Sequence, residues 1–83
     1  MTRYYLHLRD HIDETLDPEG VELPDMNAVE KTVLDAARDV LSSELKGKGV
    51  VDLRYRIDAE KSGGEVVHSL AFSEAFDIIP GAA

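Results

Sequence analysis

The chain has 83 residues, 17 acidic against 9 basic side chains, a formal charge of −8 and a pI near 4.6. A chain of this size makes one domain, residues 1–83, that buries roughly 60–65% of its unfolded surface, which argues against a deep enzyme cleft. With no cysteine, disulfides, thiolate-held metals and thiol nucleophiles are excluded, and packing or oligomerisation must supply the stability.

No apolar run approaches a membrane span, and Met1-Thr2-Arg3-Tyr4 opens no apolar leader, so the expectation is a soluble, cytoplasmic protein without a targeting segment. The negative balance disfavours nonspecific contact with phosphate backbones, although a local basic patch can override an average.

From Arg3 to Arg9 apolar and polar residues alternate, with Tyr4, Leu6 and Leu8 on one face and Arg3, Tyr5, His7 and Arg9 on the other. Period two predicts a half-buried strand. Asp10-His11-Ile12-Asp13 breaks the pattern, and Glu14-Thr15-Leu16 reads as the return strand of a hairpin. Asp17-Pro18-Glu19-Gly20 carries type I turn chemistry: an Asp that bonds its own backbone, a Pro that sets φ, and a Gly free to take positive φ.

Pro24-Asp25 starts a helix, since the Asp25 carboxylate suits the exposed N–H groups of a first turn. At about 100° per residue, Met26, Val29, Val33, Leu34, Ala36, Ala37, Val40, Leu41 and Leu45 share one face, and Lys31, Asp35, Arg38, Asp39, Ser42 and Lys46 take much of the rest. The result is an amphipathic helix of about six turns, stopped by Gly47 or Gly49. Val51 to Ile57 alternates again and predicts a third strand, with Val51, Leu53, Tyr55 and Ile57 inward and Asp52, Arg54, Arg56 and Asp58 outward. Glu60 to Glu65 reads as a turn, and Val66 to Phe72 as the closing strand, with Val66, His68, Leu70 and Phe72 towards the core. Residues 77–83, ending Pro80-Gly81-Ala82-Ala83, are expected to fray.

The order β-β-α-β-β predicts an α+β domain in which one amphipathic helix packs on a four-stranded antiparallel sheet. The third strand is expected beside the first, giving the spatial order 2-1-3-4.

Arg3-Tyr4-Tyr5-Leu6-His7-Leu8, followed by Asp17-x-x-Gly20-Val21-Glu22-Leu23-Pro24-Asp25 and an Ala-rich helix, resembles a family of short bacterial proteins known only as a domain of unknown function. Asp58, a glycine in the next turn and the apolar strand ending in Phe72 fit the same pattern, so the likeness spans roughly residues 3 to 76. Its motifs are turn and core residues, so the resemblance implies a fold and no activity. The turn after Asp58 departs from the pattern through Lys61-Ser62-Gly63-Gly64. Leu23-Pro24-Asp25 leading into an Ala-bearing helix is also similar, more weakly, to HicB-type antitoxins.

Charge is unevenly placed. Arg3, Arg9, Arg54 and Arg56, with Tyr5 and His7, occupy outward positions of the first and third strands, while most acids fall on the helix and loops. Side by side, these strands would present a basic, aromatic-bearing face suited to carboxylates or phosphates. The alternative is that Arg54 and Arg56 pair with Asp52, Asp58 and neighbouring glutamates, as solvated sheet faces commonly do. A homodimer through this face or a strand edge is a further expectation. An RNA-binding role is disfavoured, because the face has one aromatic where a sheet reader shows two or three.

His7, His11, Asp10 and Asp13 are zinc-compatible residue types, yet four extended residues span about 13 Å, too far for two imidazoles to share an ion unless the chain turns first. His68 reads as a bonded or edge histidine. Ser69 and Ser73 near His68 lack a nucleophile elbow, the scattered acids lack an apolar pocket that would raise a pKa, and no glycine pair matches a phosphate-binding loop. No catalytic residue, metal or cofactor is expected. The reading is a non-enzymatic protein-interaction or regulatory module, dimeric, that binds an acidic protein partner through Arg3, Tyr5, His7, Arg9, Arg54 and Arg56 or through a strand edge. The alternative is an antitoxin-like or nucleic-acid-mimicking acidic inhibitor, its acids including Asp35, Asp39 and Glu44.

Overall fold

The computed structural model describes residues 1–82. Ala83, part of the segment expected to fray, lies outside the described residues.

The first alternating run forms β1, Thr2–Arg9, with Tyr4 turned into the core. It reverses into β2, Glu14–Thr15, pairing Leu8 with Thr15 and Arg9 with Glu14. Asp10 builds that reversal: its Oδ1 accepts from the N–H groups of Ile12 at 2.7 Å and Asp13 at 2.6 Å, and its own N–H donates to the Asp13 carbonyl at 3.0 Å. The chain then turns at Asp17–Gly20 and returns to the same flank of β1 as β3, Val21–Leu23, which pairs with Thr2 to Tyr4. This fifth strand is an addition to the four expected, and three residues are too few for alternation to reveal.

Helix α1 runs from Met26 to Lys48. Asp25 caps it by accepting from Ala28 N at 2.8 Å, and Gly49, at φ 66°, closes it with its N–H donating to the Leu45 carbonyl at 2.9 Å. The four-residue spacing of Val29, Val33, Ala37 and Leu41 lays one buried stripe on the sheet. Ala37 meets a sheet that contains Ala59, and both are fully buried, so small side chains let the two layers approach closely. Met26 and Leu45, expected on the buried face, are exposed at 39% and 55%, near the two ends of the helix.

The third major strand begins later than its sequence implies. It is β4, Arg56–Lys61, not Val51 to Ile57. Asp52 makes the difference: its Oδ1 accepts from Arg54 N and Arg54 Nε, each at 3.0 Å, and this clamp holds residues 52–54 in a turn. Val51 and Leu53, expected inward, are therefore exposed at 41% and 44%. Glu60 and Lys61, expected in a turn, extend the strand, and the reversal narrows to Ser62–Gly64 before β5, Val66–Ala71. Phe72, expected to end that strand, instead opens a short 3-10 turn over Phe72–Glu74 and is almost wholly buried.

The sheet is antiparallel in the order β2-β1-β4-β5, with β3 sharing the β2 flank of β1. In terms of the four strands expected, this is the order 2-1-3-4. Tyr4, Ile57 and Ala59 face the helix stripe, joined by Phe72 and Ala75, and the Tyr55 and Phe72 rings meet at 5.8 Å between centroids. His68 stands opposite Ala59 and is half-buried on the helix side. Among the described residues no helix is long and apolar enough to cross a membrane.

Candidate interaction surface

One helix covers one face of the sheet, and the opposite face carries the alternate residues of β1 and β4. Register sets Tyr5 across from Glu60, His7 across from Asp58 and Arg9 across from Arg56. Five of the six residues singled out in the sequence, Arg3, Tyr5, His7, Arg9 and Arg56, therefore share this face. Arg54 does not, because it lies in the turn before β4, bound to Asp52. That guanidinium pulls the Asp52 carboxyl down to about 2.

The shared residues are not a row of free cations. Asp58 and Glu60 lie between them, only 4% and 8% exposed. Arg9 Nη1 donates to Asp58 Oδ2 at 2.9 Å and to Glu60 Oε2, while Arg9 Nε donates to Glu14 Oε2 at 2.9 Å. Arg56 Nε reaches both Asp58 oxygens at 3.2 Å, and the Ser69 hydroxyl on β5 donates to Asp58 Oδ1. Bonds to Glu60, then Glu14 and Asp58, hold the Arg9 guanidinium above its ordinary pKa. Burial alone would raise the Asp58 carboxyl, but Ser69, Arg9 and Arg56 together outweigh it and keep Asp58 below the usual carboxylate range. Arg3 is likewise occupied, with Nη1 on the Glu19 carbonyl at 2.6 Å and Nη2 3.5 Å from Glu22.

His7 is held by a hydrogen bond at Nδ1 and has an acid near Nε2. Nδ1 accepts from Asp17 N at 3.0 Å, which places the neutral ring's proton on Nε2, 3.7 Å from Glu60 Oε1. Its ring stacks on Tyr5 with centroids 6.3 Å apart. Cross-strand pairing, one of the two readings the sequence leaves open, thus describes the charged face better than a free basic patch. Sequence reasoning missed Glu60 and Ser69 as members of this cluster. The signal for Glu60 was Arg56-x-Asp58-x-Glu60, one more alternation beyond the strand assigned.

The two edges of the sheet differ. On the β1 flank, β3 covers Thr2 to Tyr4 and β2 covers Leu8 and Arg9. Between them, the Leu6 N–H donates to the Asp17 carboxylate at 3.2 Å, so a side chain fills the gap. Asp17 also accepts from Glu19 N at 3.2 Å and Gly20 N at 3.1 Å. Burial would raise its carboxyl, and the N–H groups of Gly20, Leu6 and Glu19 more than offset that and lower it. On the far side, β5 pairs with β4 alone, and at its C-terminal end the outward Ala71 N–H donates to Glu74 Oε1 at 2.9 Å. Its sequence, Val66-Val67-His68-Ser69-Leu70-Ala71, contains no lysine, acid or proline, the residues that commonly blunt an exposed edge.

These features define a class: a small α+β domain with one helix on an antiparallel sheet, an ion-paired open face, one flank ending in two short strands and the other in the longer β5. The chain belongs to the family described as a domain of unknown function, DUF6894, which matches residues 3–73. The family match lends no support to the likeness to HicB-type antitoxins. No curated protein matches the chain, and no solved structure matches it.

Proposed function

We propose that this protein is a non-enzymatic protein-interaction module that takes an extended segment of a partner protein onto the β5 edge. The observation that carries the reading is the contrast between the edges: one ends in strands of two and three residues with the Asp17 carboxylate between them, and the other is the six-residue β5, without lysine, acid or proline, on which Glu74 takes the Ala71 N–H. Such an edge is a template for strand addition, in which main-chain hydrogen bonds supply affinity and alternate side chains supply selectivity. A strand added there would set its side chains beside Ser69 and Ala71 on one face and His68 and Leu70 on the other. The arginines are engaged by carboxylates of their own chain, which weakens the case for an acidic partner held by a basic face. A chain without cysteine fits a reducing compartment, and the cytoplasm is our proposed location.

The test is capture of the tagged full chain from its native lysate, with and without nuclease, beside two variants, Val66→Lys/Val67→Lys and Arg54→Glu/Arg56→Glu. The expected result is a stoichiometric, nuclease-resistant protein that is lost with the β5 variant and kept with the arginine variant, with both variants folded by circular dichroism. Recovery unaffected by the β5 lysines, or lost only in the arginine variant, would overturn the edge reading.

A further inference from the structure

A second surface, separate from the β5 edge, lies along the C-terminal half of α1. Leu41, Ser42 and Leu45 on the helix, Val51 after it and Phe76 after the 3-10 turn line an open groove of about 400 Å³, with Arg38 also in its wall. Leu45 and Val51 are exposed at 55% and 41%, so the groove is an apolar surface that the chain's own fold leaves uncovered.

Arg38 supplies the electrostatic half of the argument. Arg3, Arg9, Arg54 and Arg56 each meet a carboxylate, whereas Arg38 has none among the described residues. Its Nε donates to the Ala75 carbonyl at 2.8 Å, which leaves the positive charge uncompensated beside an apolar trough. An occupant that matches carries adjacent apolar side chains and a carboxylate next to them.

The chain holds such a segment. Asp77-Ile78-Ile79 follows Phe76 directly, and Ile78 and Ile79 are exposed at 77% and 90%. Asp77 is exposed and has no cation partner among the described residues. Pro80 restrains Ile79 to an extended backbone, which opposes the tight reversal needed to fold these isoleucines back into the groove they leave. An extended segment reaches outward instead, towards a neighbouring molecule.

We propose that Asp77-Ile78-Ile79 of one copy docks in the Arg38/Leu45/Val51/Phe76 groove of a second copy, and that the exchange is reciprocal about a two-fold axis. Each subunit then completes the other's groove: isoleucines cover its apolar floor and Asp77 meets Arg38. An isologous arrangement of this kind closes at two subunits.

Sedimentation of the full chain tests this through complementation. Wild type is expected at twice the 9.2 kDa monomer mass. The tail variant Ile78→Asp/Ile79→Asp and the groove variant Leu45→Asp change exposed residues, and each alone is expected as a folded monomer. Mixed, they retain one intact tail and one intact groove, so a one-to-one heterodimer is expected at higher concentration than wild type requires. Monomeric wild type, a tail variant that stays dimeric, or a mixture that stays monomeric would each overturn the proposal. A dimer that resists the tail change but dissociates in Val66→Lys/Val67→Lys belongs to the β5 edge and overturns it as well.

Discussion

Arg9 and Arg56 stand directly opposite each other across β1 and β4, a like-charge pairing that destabilises a sheet unless an acid intervenes. Asp58 intervenes, bonded to both, and Glu60 takes the other side of Arg9. Removing the shared cation leaves two buried carboxylates short of a partner. Arg9→Met is therefore expected to cost roughly 3 kcal/mol in a urea denaturation series. The same geometry sets an acid limit. Asp17 and Asp58 are held below the usual carboxylate range in the folded chain, so their stabilisation is complete above the unfolded value near about 4. It is lost as the pH falls from there through the folded values, because the unfolded chain takes up protons first. Denaturation midpoints measured down the acid limb should fall less steeply in Asp17→Asn and Asp58→Asn than in the parent chain. Gly20 is the other residue with a narrow tolerance. Its φ is +72°, and a Cβ there would lie 2.8 Å from the Tyr4 carbonyl and 3.0 Å from the Tyr5 ring. Gly20→Ala is expected to lower stability by about 1–3 kcal/mol in the same measurement.

At the scale of elements, burial separates two valine and leucine positions that sequence periodicity treats alike. Val33 is fully buried in the α1 stripe and Leu53 is 44% exposed. Val33→Ala is expected to cost on the order of 1–3 kcal/mol, and Leu53→Ala no more than about 0.5 kcal/mol, as for an open surface position. Equal losses in thermal unfolding would contradict this assignment of faces. The contrast also explains what a reader of the sequence can and cannot see. The start of the helix was legible at Asp25 and its end as one of Gly47 and Gly49, because such caps act through their own chemistry and need no distant partner. The first strand was legible because its alternation is continuous and one side is buried. Val51 to Ile57 alternates equally well, but the Asp52 clamp on Arg54 competes locally with strand, and pairing with β1 begins only at Arg56. Tertiary pairing, absent from any local pattern, also decides that Val21–Leu23 becomes a strand. For the charged face, residue types and their side of the sheet were readable. That the cations are spoken for was not, since it depends on the register that brings Asp58 and Glu60 alongside β1.

Over the whole molecule, principal extents of 49 × 27 × 19 Å describe an elongated body. Its α1 of 23 residues alone accounts for about 34 Å. Repulsion from the net charge of −8 is the general force that keeps such bodies apart, since β5 has no lysine, arginine or acid of its own. That protection vanishes near the pI of about 4.6. Light scattering should rise sharply as the pH approaches that value, and Val66→Lys/Val67→Lys should suppress the rise by more than an equal change of charge on the exposed side of α1.

The bond from Leu6 N–H to Asp17 also bears on the valence of the molecule as a building unit. Within the sheet, β5 is the one long receiving margin, because the opposite flank ends in strands of only two and three residues. Divalent units polymerise, as head-to-tail growth needs a receiving margin and a donating one. Asp17, bonded at 3.2 Å to Leu6 N–H between β2 and β3, fills the stretch of β1 that those strands leave, and its loss is expected to weaken the stop on that flank, read as a rise in larger species in sedimentation.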